Sequence, residues 1–274
     1  MATAFASRTD AYRIGITGAP GAGKSTLTDA LIRRARERGE SVGILAVDPT
    51  SPFTGGAVLG DRVRMQDHVL DDGVYIRSMA NRGHLGGLSE AAPKALVAME
   101  AAGFDWILIE TVGVGQDEVE ITSAADTVLV VVTPGWGDGV QAAKAGILEI
   151  GDAFVVNKAD RAGLSDTVSD LRAMLALGGD LDWEPPIVET VASRGEGVDA
   201  VWDAVIAHRA HLGEAGLAAG RARRRLAELE TALAARFRQR ASQALRTGTG
   251  AALVAAVEAG DADPWTTATE IADG

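Results

Sequence analysis

One stretch of the chain has the residue types and spacing needed to bind phosphate groups. "GAPGAGKST" occupies residues 18–26, after an apolar run and before an amphipathic segment. Its glycines let successive backbone N–H groups point at one phosphate, and the following helix adds a partial positive charge. The pattern predicts a P-loop in which Lys24 bridges the β- and γ-phosphates and the Ser25 hydroxyl binds Mg²⁺. The predicted phosphate-binding residues are Gly18, Ala19, Pro20, Gly21, Ala22, Gly23, Lys24, Ser25 and Thr26.

A second motif, "NKAD" at residues 157–160, favours guanine as the base. The Asp160 carboxylate can accept hydrogen bonds from the ring N–H and the exocyclic amine of guanine, a donor pair that adenine lacks. We expect Asn157 to contact the base or to tie its loop to the P-loop. Downstream, "TVASRGEG" at 190–197 brings a backbone N–H near the guanine carbonyl. The predicted ligands are therefore GTP and GDP, and the predicted base-binding residues are Asn157, Lys158, Asp160, Ser193 and Arg194.

Acidic residues that end or follow predicted strands provide candidate ligands for magnesium. They are Asp48, Asp61 and Glu110, and together with Ser25 they form the predicted Mg²⁺ site. The segment "ETVGVGQDE" at 110–118 contains glycines that could contact the γ-phosphate and move when it leaves. Gln116 is the candidate for orienting the attacking water in an in-line displacement. The predicted catalytic residues of this part of the site are Lys24, Glu110 and Gln116.

Short β-branched runs alternate with amphipathic segments over the first 210 residues or so. The predicted strands cover 12–17, 42–47, 74–79, 105–111, 127–133, 153–157 and 186–191. The predicted helices lie near 24–38, 88–102, 138–149, 164–177 and 197–211. This alternation predicts an α/β fold, a doubly wound and mostly parallel sheet with ligands at the carboxyl ends of its strands.

The pattern changes near residue 213. Residues 220–245 predict one long helix with a narrow apolar seam, formed by Leu226, Leu229, Leu233 and Phe237. A basic cluster precedes the seam and is not expected on a buried face; it consists of Arg221, Arg223, Arg224 and Arg225. The seam favours pairing with a second subunit over packing on its own domain, and the polar tail 261–274 is expected to be loosely held. The predicted organisation is an extension at 1–11, a nucleotide-binding domain at 12–212 and a helical dimerisation arm at 213–274.

Composition limits the classes of partner. The chain has 274 residues, 47% of them hydrophobic and 23% charged, which predicts an ordinary packed core. Its net charge of −12 and pI near 4.8 disfavour a nucleic-acid partner. The sequence contains no cysteine, which excludes disulfides and thiolate metal sites. No signal peptide or membrane span is predicted, so we expect a cytoplasmic protein without a membrane partner.

Beyond these motifs, the longer blocks of the chain resemble the MeaB/MMAA/ArgK family of P-loop GTPases. They are "VDPTSPFTGGAVLGDRVRM", "IRSMANRGHLGGLS", "IETVGVGQDEVEI" and "TPGWGDGVQAAKAGILEI", and the likeness runs from about 12 to 212. The resemblance implies a SIMIBI-type G domain in a homodimer. It also implies magnesium and switch positions for Ser25, Asp48, Asp61 and Glu110, and a role for Lys144 in stimulated hydrolysis.

The same resemblance implies a function. Members of this family are GTPases that chaperone adenosylcobalamin-dependent acyl-CoA mutases, gate cofactor delivery from an adenosyltransferase, and protect or reactivate the mutase. Family members usually carry a longer N-terminal extension than the roughly eleven residues here. That difference is compatible with service to a related mutase, such as one for 2-hydroxyisobutyryl-CoA rather than methylmalonyl-CoA.

Three other functions use the same P-loop. A nickel-type metallochaperone GTPase would need imidazole or thiolate ligands, and the chain has four histidines, of which only His208 and His211 are spaced one helical turn apart. A small-molecule kinase would need an acceptor pocket with a catalytic base, for which no further motif is present. A nucleotide-gated scaffold would bind GTP and scarcely hydrolyse it.

Overall fold

The described residues form one sheet of seven parallel strands. The computed structural model describes residues 3, 10–49, 65–68, 70–81, 91–111, 117–135, 149–177 and 182–273. The spatial order of the strands is β3-β2-β4-β1-β5-β6-β7, and every neighbouring pair is parallel. The strands are β1 (Tyr12–Thr17), β2 (Val42–Pro49), β3 (Val74–Asn81), β4 (Trp106–Glu110), β5 (Thr127–Val132), β6 (Ala153–Asn157) and β7 (Ile187–Thr190).

All seven predicted strands are present, with small differences in length. Strands β2 and β3 each continue two residues further than predicted, whereas β4 and β7 are one residue shorter at each end. Every residue of β1, β4, β5 and β6 is buried. These strands are apolar almost throughout because helices cover both faces of a parallel sheet.

Helices connect the strands and continue to the C-terminal end. They are α1 (Lys24–Glu37), α2 (Ala91–Ala102), α3 (Asp117–Ala124), α4 (Leu164–Ala176), α5 (Val198–Ala244), α6 (Gly248–Ala259) and α7 (Pro264–Asp273). The predicted helices at 24–38, 164–177 and 197–211 are confirmed, the last as the start of the longer α5. The described part of the helix predicted at 88–102 is α2, and nearly all of the segment predicted at 138–149 lies outside the described residues.

The two faces of the sheet carry separate hydrophobic clusters. One cluster combines α1 and α5 with the sheet and contains Leu27, Leu31, Val201, Trp202 and Val205. The other combines α2, α3 and α4 with the opposite face and contains Leu96, Met99, Ile121, Val168 and Leu171. The predicted doubly wound architecture is therefore confirmed. Among the described residues, no helix is both long enough and apolar enough to cross a membrane.

The chain divides into two compact units, Met1–Arg224 and Arg225–Gly274. In the first unit the helical geometry of α5 is interrupted at Gly213, where φ is 57° and ψ is −175°. The expectation that the basic cluster avoids burial is wrong for Arg224. Its guanidinium forms an ion pair of 2.6 Å with Asp126 and donates to the carbonyl of Ala125 at 3.1 Å. A buried arginine is tolerated there because a carboxylate compensates its charge.

The second unit contains the remainder of α5 together with α6 and α7. The seam residues Leu226, Leu229, Leu233 and Phe237 are 47% to 63% exposed. The polar tail at 261–274, which was expected to be loosely held, contains helix α7 over most of its length. Helix α7 begins where the Asp263 carboxylate accepts hydrogen bonds from the backbone N–H and the hydroxyl of Thr266, as an N-cap does.

A polar chain is buried between α5 and the strands of the first unit. The hydroxyl of Tyr12 lies 2.6 Å from Thr127 Oγ1, which lies 2.8 Å from Nδ1 of His208. On the other side of the ring, Nε2 of His208 is 3.4 Å from the carboxylate of Asp152. A neutral His208 with its proton on Nε2 fits all these contacts, since Nδ1 then accepts from Thr127. His208 is thus part of the packing beneath α5.

This polar chain predicts two opposing pH effects on stability. Burial raises the pKa of Asp152 to about 6, so between about pH 4 and 6 the folded state binds more protons than the unfolded state and stability falls as pH rises. Burial lowers the pKa of His208 to about 4, so over the same interval the unfolded state binds more protons at this site and stability rises with pH. In the wild type the two contributions largely cancel.

Substituting either group should reveal the contribution of the other. In Asp152→Asn the free energy of unfolding should rise by about 1 to 2 kcal/mol from pH 4 to 6.5, and in His208→Gln it should fall by a similar amount from pH 4 to 6. Urea unfolding at a series of pH values measures both slopes relative to the wild type. Asp170→Asn, which removes an exposed carboxylate of α4, is the control. Parallel pH profiles for all three variants would contradict this account.

Candidate nucleotide-binding site

The P-loop connects β1 to α1 at the carboxyl edge of the sheet. Two of its glycines are required by close approach and by a positive φ. A Cβ on Gly18, whose φ is 128°, would lie 2.0 Å from the carbonyl oxygen of Val131, and one on Gly23, whose φ is 93°, would lie 2.3 Å from Nδ2 of Asn157. The loop therefore packs directly on β5 and on the end of β6. Any side chain at these two glycines would push the loop off the sheet.

Lys24 is folded back over the P-loop. Its ammonium group donates to the carbonyl of Gly18 at 2.7 Å and to that of Ala19 at 3.1 Å, and the residue is only 7% exposed. These contacts hold the positive charge above the loop whose backbone would receive a phosphate. A lysine in this position can exchange carbonyl oxygens for phosphate oxygens by a small rotation of its side chain.

The hydroxyl of Ser25 donates to Oε1 of Glu110 at 2.6 Å. Ser25 is the second residue of α1 and Glu110 is the last residue of β4, and both are buried. Just beyond them, the hydroxyl of Thr111 donates to that of Thr17 at 3.1 Å. Two of the four predicted magnesium ligands are therefore in contact beside the P-loop.

The other predicted residues of the metal and switch region are less fully described. Asp48 lies near the carboxyl end of β2, two residues after Ala46, which pairs with Glu110. Its backbone is thus at the same edge of the sheet as the P-loop. The predictions for Asp61, Gln116 and Lys144 fall outside the described residues.

Asn157 connects the base loop to the P-loop. Its Nδ2 donates to the carbonyl of Ala22 at 2.9 Å, while its Oδ1 accepts from the backbone N–H of Ala192 at 3.1 Å and from the hydroxyl of Thr190 at 3.2 Å. Of the two roles expected for Asn157, the tie between loops is the one observed. Because the side chain is 3% exposed, its three bonds act in a dry environment where an unpaired partner is costly.

Lys158 makes a second connection on the exposed side. Its ammonium group donates to the carbonyl of Gly21 at 2.6 Å. Its φ is 61°, and no other non-glycine residue among those described has a positive φ. That backbone conformation turns the chain sharply after β6 and directs the long side chain along the P-loop.

Asp160 lies at the outer end of the base loop and contacts Arg194. Nη1 of Arg194 is 3.3 Å from the Asp160 carboxylate, and its Nε donates to Glu196 at 2.7 Å. The hydrogen bond from Arg194 lowers the pKa of Glu196. Ser193 is the middle residue of the turn Ala192–Arg194 that follows β7. The structure thus brings the predicted base-binding residues to one end of the sheet.

Sequence reasoning missed Glu196 and Thr190 at this end of the site. In the sequence, Glu196 could have been recognised because it follows Arg194 by two residues with a glycine between them. Gly195 has a φ of 72°, and the turn at this residue lets the two side chains meet. Thr190 gave no such signal, since a threonine ending a strand usually reflects only β-propensity.

The sheet order, the glycine-lined loop and the Asn157 connection define a P-loop GTPase fold. A family model described as "Methylmalonyl Co-A mutase-associated GTPase MeaB" matches residues 1–246. The chain belongs to this MeaB family, and it is a GTPase that binds guanine nucleotides. The resemblance seen in the sequence motifs is confirmed.

Individual relatives agree with this assignment. The chain is 48% identical to a protein of Pyrococcus abyssi that carries a GTPase name, over 94% of this chain and 82% of that one. It is 37% identical to the GTPase ArgK of Escherichia coli, over 74% and 63% of the two chains. It is 38% identical to the mouse mitochondrial methylmalonic aciduria type A homolog, over 70% of this chain but only 48% of the mouse protein.

Solved structures support the fold. The structure described as a LAO/AO transport system kinase superposes with a TM-score of 0.68 and 24% identity, covering 99% of this chain and 84% of that one. The hydrogenase maturation factor HypB of Archaeoglobus fulgidus gives a TM-score of 0.54 and 20% identity, over 72% and 90% of the two chains. At these identities the likeness concerns the fold alone.

The Asn157 contacts predict a large effect on stability. Asn157→Ala should lower the free energy of unfolding of the nucleotide-free protein by about 2 to 4 kcal/mol, because the Ala22 carbonyl and the Ala192 N–H lose their partner in a dry site. Lys158→Ala, which removes an exposed contact to the same loop, should lower it by about 1 kcal/mol or less. Urea unfolding followed by circular dichroism compares the two variants. Equal losses would show that the buried amide has no special role.

Proposed function

We propose that this GTPase is a chaperone of an adenosylcobalamin-dependent acyl-CoA mutase, acting on methylmalonyl-CoA mutase or a related 2-hydroxyisobutyryl-CoA mutase. In this proposal it gates delivery of the cofactor from a cobalamin adenosyltransferase and protects or reactivates the mutase in the cytoplasm. The family description and the name of the mouse relative support the partner class. The nucleotide-binding part of the proposal is carried by the direct hydrogen bond from Asn157 to the Ala22 carbonyl, because it joins the base loop to the P-loop.

The phosphate end of the site has a defined task for each group. The backbone N–H groups of the loop from Gly18 to Thr26, except at Pro20, cradle the β-phosphate, and Lys24 leaves the Gly18 and Ala19 carbonyls to bridge the β- and γ-phosphates. Lys24 then neutralises charge that develops as the γ-phosphate departs. Because Lys24 already lies over the loop, little reorganisation precedes this step.

The residues described beside the P-loop suit magnesium. The Ser25 hydroxyl and the Glu110 carboxylate are oxygen donors in contact with one another, and Mg²⁺ prefers such hard ligands. We assign Ser25, Asp48, Asp61 and Glu110 to the ion, which when bound would offset negative charge on the phosphates. Glu110 also aligns Ser25 through their hydrogen bond. We assign Gln116 to orientation of the attacking water and Lys144 to stimulation of hydrolysis.

At the base end of the site, we expect the Asp160 carboxylate to exchange its contact with Arg194 for hydrogen bonds to guanine. Asp160 contacts Arg194, and guanine offers two N–H donors to the same carboxylate. Glu196 retains Arg194 when the base enters, since its bond to Nε is independent of Asp160. Lys158 lies along the purine ring, and the Ser193 N–H faces the guanine carbonyl.

Base choice can be tested by substituting Asp160. In Asp160→Asn the affinity for GTP should fall about 100-fold or more, because the amide places an N–H against the guanine donors, while the affinity for xanthosine triphosphate should rise. Competition titrations with both nucleotides measure the change. Glu196→Gln removes a neighbouring negative charge and should change GTP affinity by no more than about fivefold. A loss of GTP binding in Asp160→Asn without gain of xanthosine triphosphate binding would argue against base selection by this carboxylate.

The second unit suits a contact between two copies. Four apolar side chains repeat along one side of α5 and are about half exposed, namely Leu226, Leu229, Leu233 and Phe237. An apolar seam of this kind gains stability when it meets a second helix. We therefore propose that residues 213–274 form a dimerisation arm of a homodimer, joined to the nucleotide-binding domain at 12–212.

The chaperone role predicts a GTPase rate controlled by the mutase. Hydrolysis by the isolated protein should be slow and should rise roughly tenfold or more when a partner mutase is added, since transition-state charge is neutralised only when the catalytic groups converge. Phosphate release measured with purified methylmalonyl-CoA mutase and with 2-hydroxyisobutyryl-CoA mutase distinguishes the partners. The rate of GTP hydrolysis by Ser25→Ala should not change when either mutase is added. If neither mutase changes the wild-type rate, the chaperone function is excluded, whereas the conclusion that the protein binds GTP is unaffected.

A further inference from the structure

An open groove lies along the outer strand of the sheet, on the face that α2 covers. Its volume is about 470 Å³, within the range of small-molecule sites. On β3 the groove is lined by Tyr75, Arg77 and Met79, which point to one face because they alternate along the strand. From α2 it is lined mainly by alanines and by Lys94.

Among the described residues, the groove lies where α2 packs mainly against β2 and β4 rather than against β3. The buried side of α2, with Leu96 and Met99, packs in the cluster that contains β2 and β4. Most side chains that α2 contributes to the groove are small, namely those of Ala91, Ala95, Ala98 and Ala102. Alanines in these positions leave space that larger residues would fill.

Aromatic rings form one end of the groove. The rings of Tyr75 and Phe104 stack with centroids 6.2 Å apart and planes inclined by 27°. Phe104 fits against the sheet because Gly43 has no side chain; a Cβ there would lie 3.3 Å from the ring. Tyr75 is 46% exposed, so a flat surface remains open to a ligand.

The charge of the groove is positive in a strongly acidic protein. The lining contains two cations, Arg77 and Lys94, and no carboxylate among the residues that the structure describes there. The whole chain carries a net charge of −12. Arg77 forms no ion pair with another described residue, and it lies in the middle of β3 rather than at the carboxyl end where the nucleotide would bind.

From this combination we infer that the groove between β3 and α2 is a second binding site, selective for an organic anion with a flat apolar body. The body lies on the alanine and methionine surface against Tyr75, and the anionic group binds Arg77. Arginine suits this task because its guanidinium bonds carboxylate, sulfonate or phosphate oxygens through a planar set of donors. The site is separate from the P-loop, since three strands (β2, β4 and then β1) follow β3 in the sheet.

A pair of fluorescent probes tests the site. 1-Anilinonaphthalene-8-sulfonate has a flat apolar body and one anionic group, and N-phenyl-1-naphthylamine has the same rings without the charge. Both are titrated into the GDP-bound full chain. Arg77→Ala should weaken binding of the sulfonate about fivefold and leave the neutral probe unchanged. Ala98→Leu, which fills the groove, should weaken both probes about tenfold or more.

Matched controls come from an exposed surface of α4. Arg172→Ala and Ala173→Leu repeat the two changes at exposed positions outside the groove and should leave both titrations unchanged. GDP affinity of every variant, measured in the same samples, verifies that the fold is retained. Identical titrations for all variants would overturn the site. If Ala98→Leu weakens both probes but Arg77→Ala weakens neither, the groove binds apolar molecules without regard to charge, which overturns the assigned ligand class.

Discussion

The structure depends on the amide of Asn157, which fastens the end of β6 to the P-loop. One side chain satisfies the carbonyl of Ala22 and the N–H of Ala192, so the phosphate cradle, the base loop and the turn after β7 are held by a single buried group. Gly23 allows this contact, because any Cβ there would collide with the amide nitrogen. The phosphate cradle and the base-reading loop, far apart along the chain, therefore form one rigid surface before a nucleotide arrives.

Parallel strands explain why these distant segments meet. The carboxyl ends of β1, β4, β6 and β7 lie along one edge of the sheet, so the loops that follow them converge although they come from widely spaced positions in the sequence. The functional groups of the site bond to each other: Lys24 to the loop carbonyls, Ser25 to Glu110, and Arg194 to Asp160. A bound nucleotide would take the place of these protein partners, so the polar groups would be paired both with and without nucleotide.

Much of this could be predicted because the signals are local. Buried parallel strands are apolar throughout, and the glycines and lysine of the P-loop follow one such strand directly, so both the strands and the loop were recognisable. Burial of Arg224 could not be predicted, since it depends on Asp126, nearly a hundred residues earlier in the chain. Helix α7 was not predicted, although its apolar residues have helical periodicity and Asp263 caps its start, because the polar composition of 261–274 was given more weight. The contact of Arg194 with Asp160 likewise follows from the sheet order that brings β6 beside β7.

The helices that pack on each face of the sheet determine where its other polar groups lie. Helices α1 and α5 cover one face, and burial beneath α5 produces the neutral pair of Thr127 and His208 with the shifted carboxyl of Asp152. On the opposite face α2 covers β2 and β4, and within the described part of the chain its alanines border a groove beside β3. An edge strand normally carries charged residues that discourage pairing with other chains. Arg77 has that effect, but its neighbours Tyr75 and Met79 form an apolar surface that a merely protective charge would not require. The same strand can therefore discourage aggregation and bind a small anion. Both properties need the positive charge of Arg77, and the second also needs the apolar surface of Tyr75 and Met79.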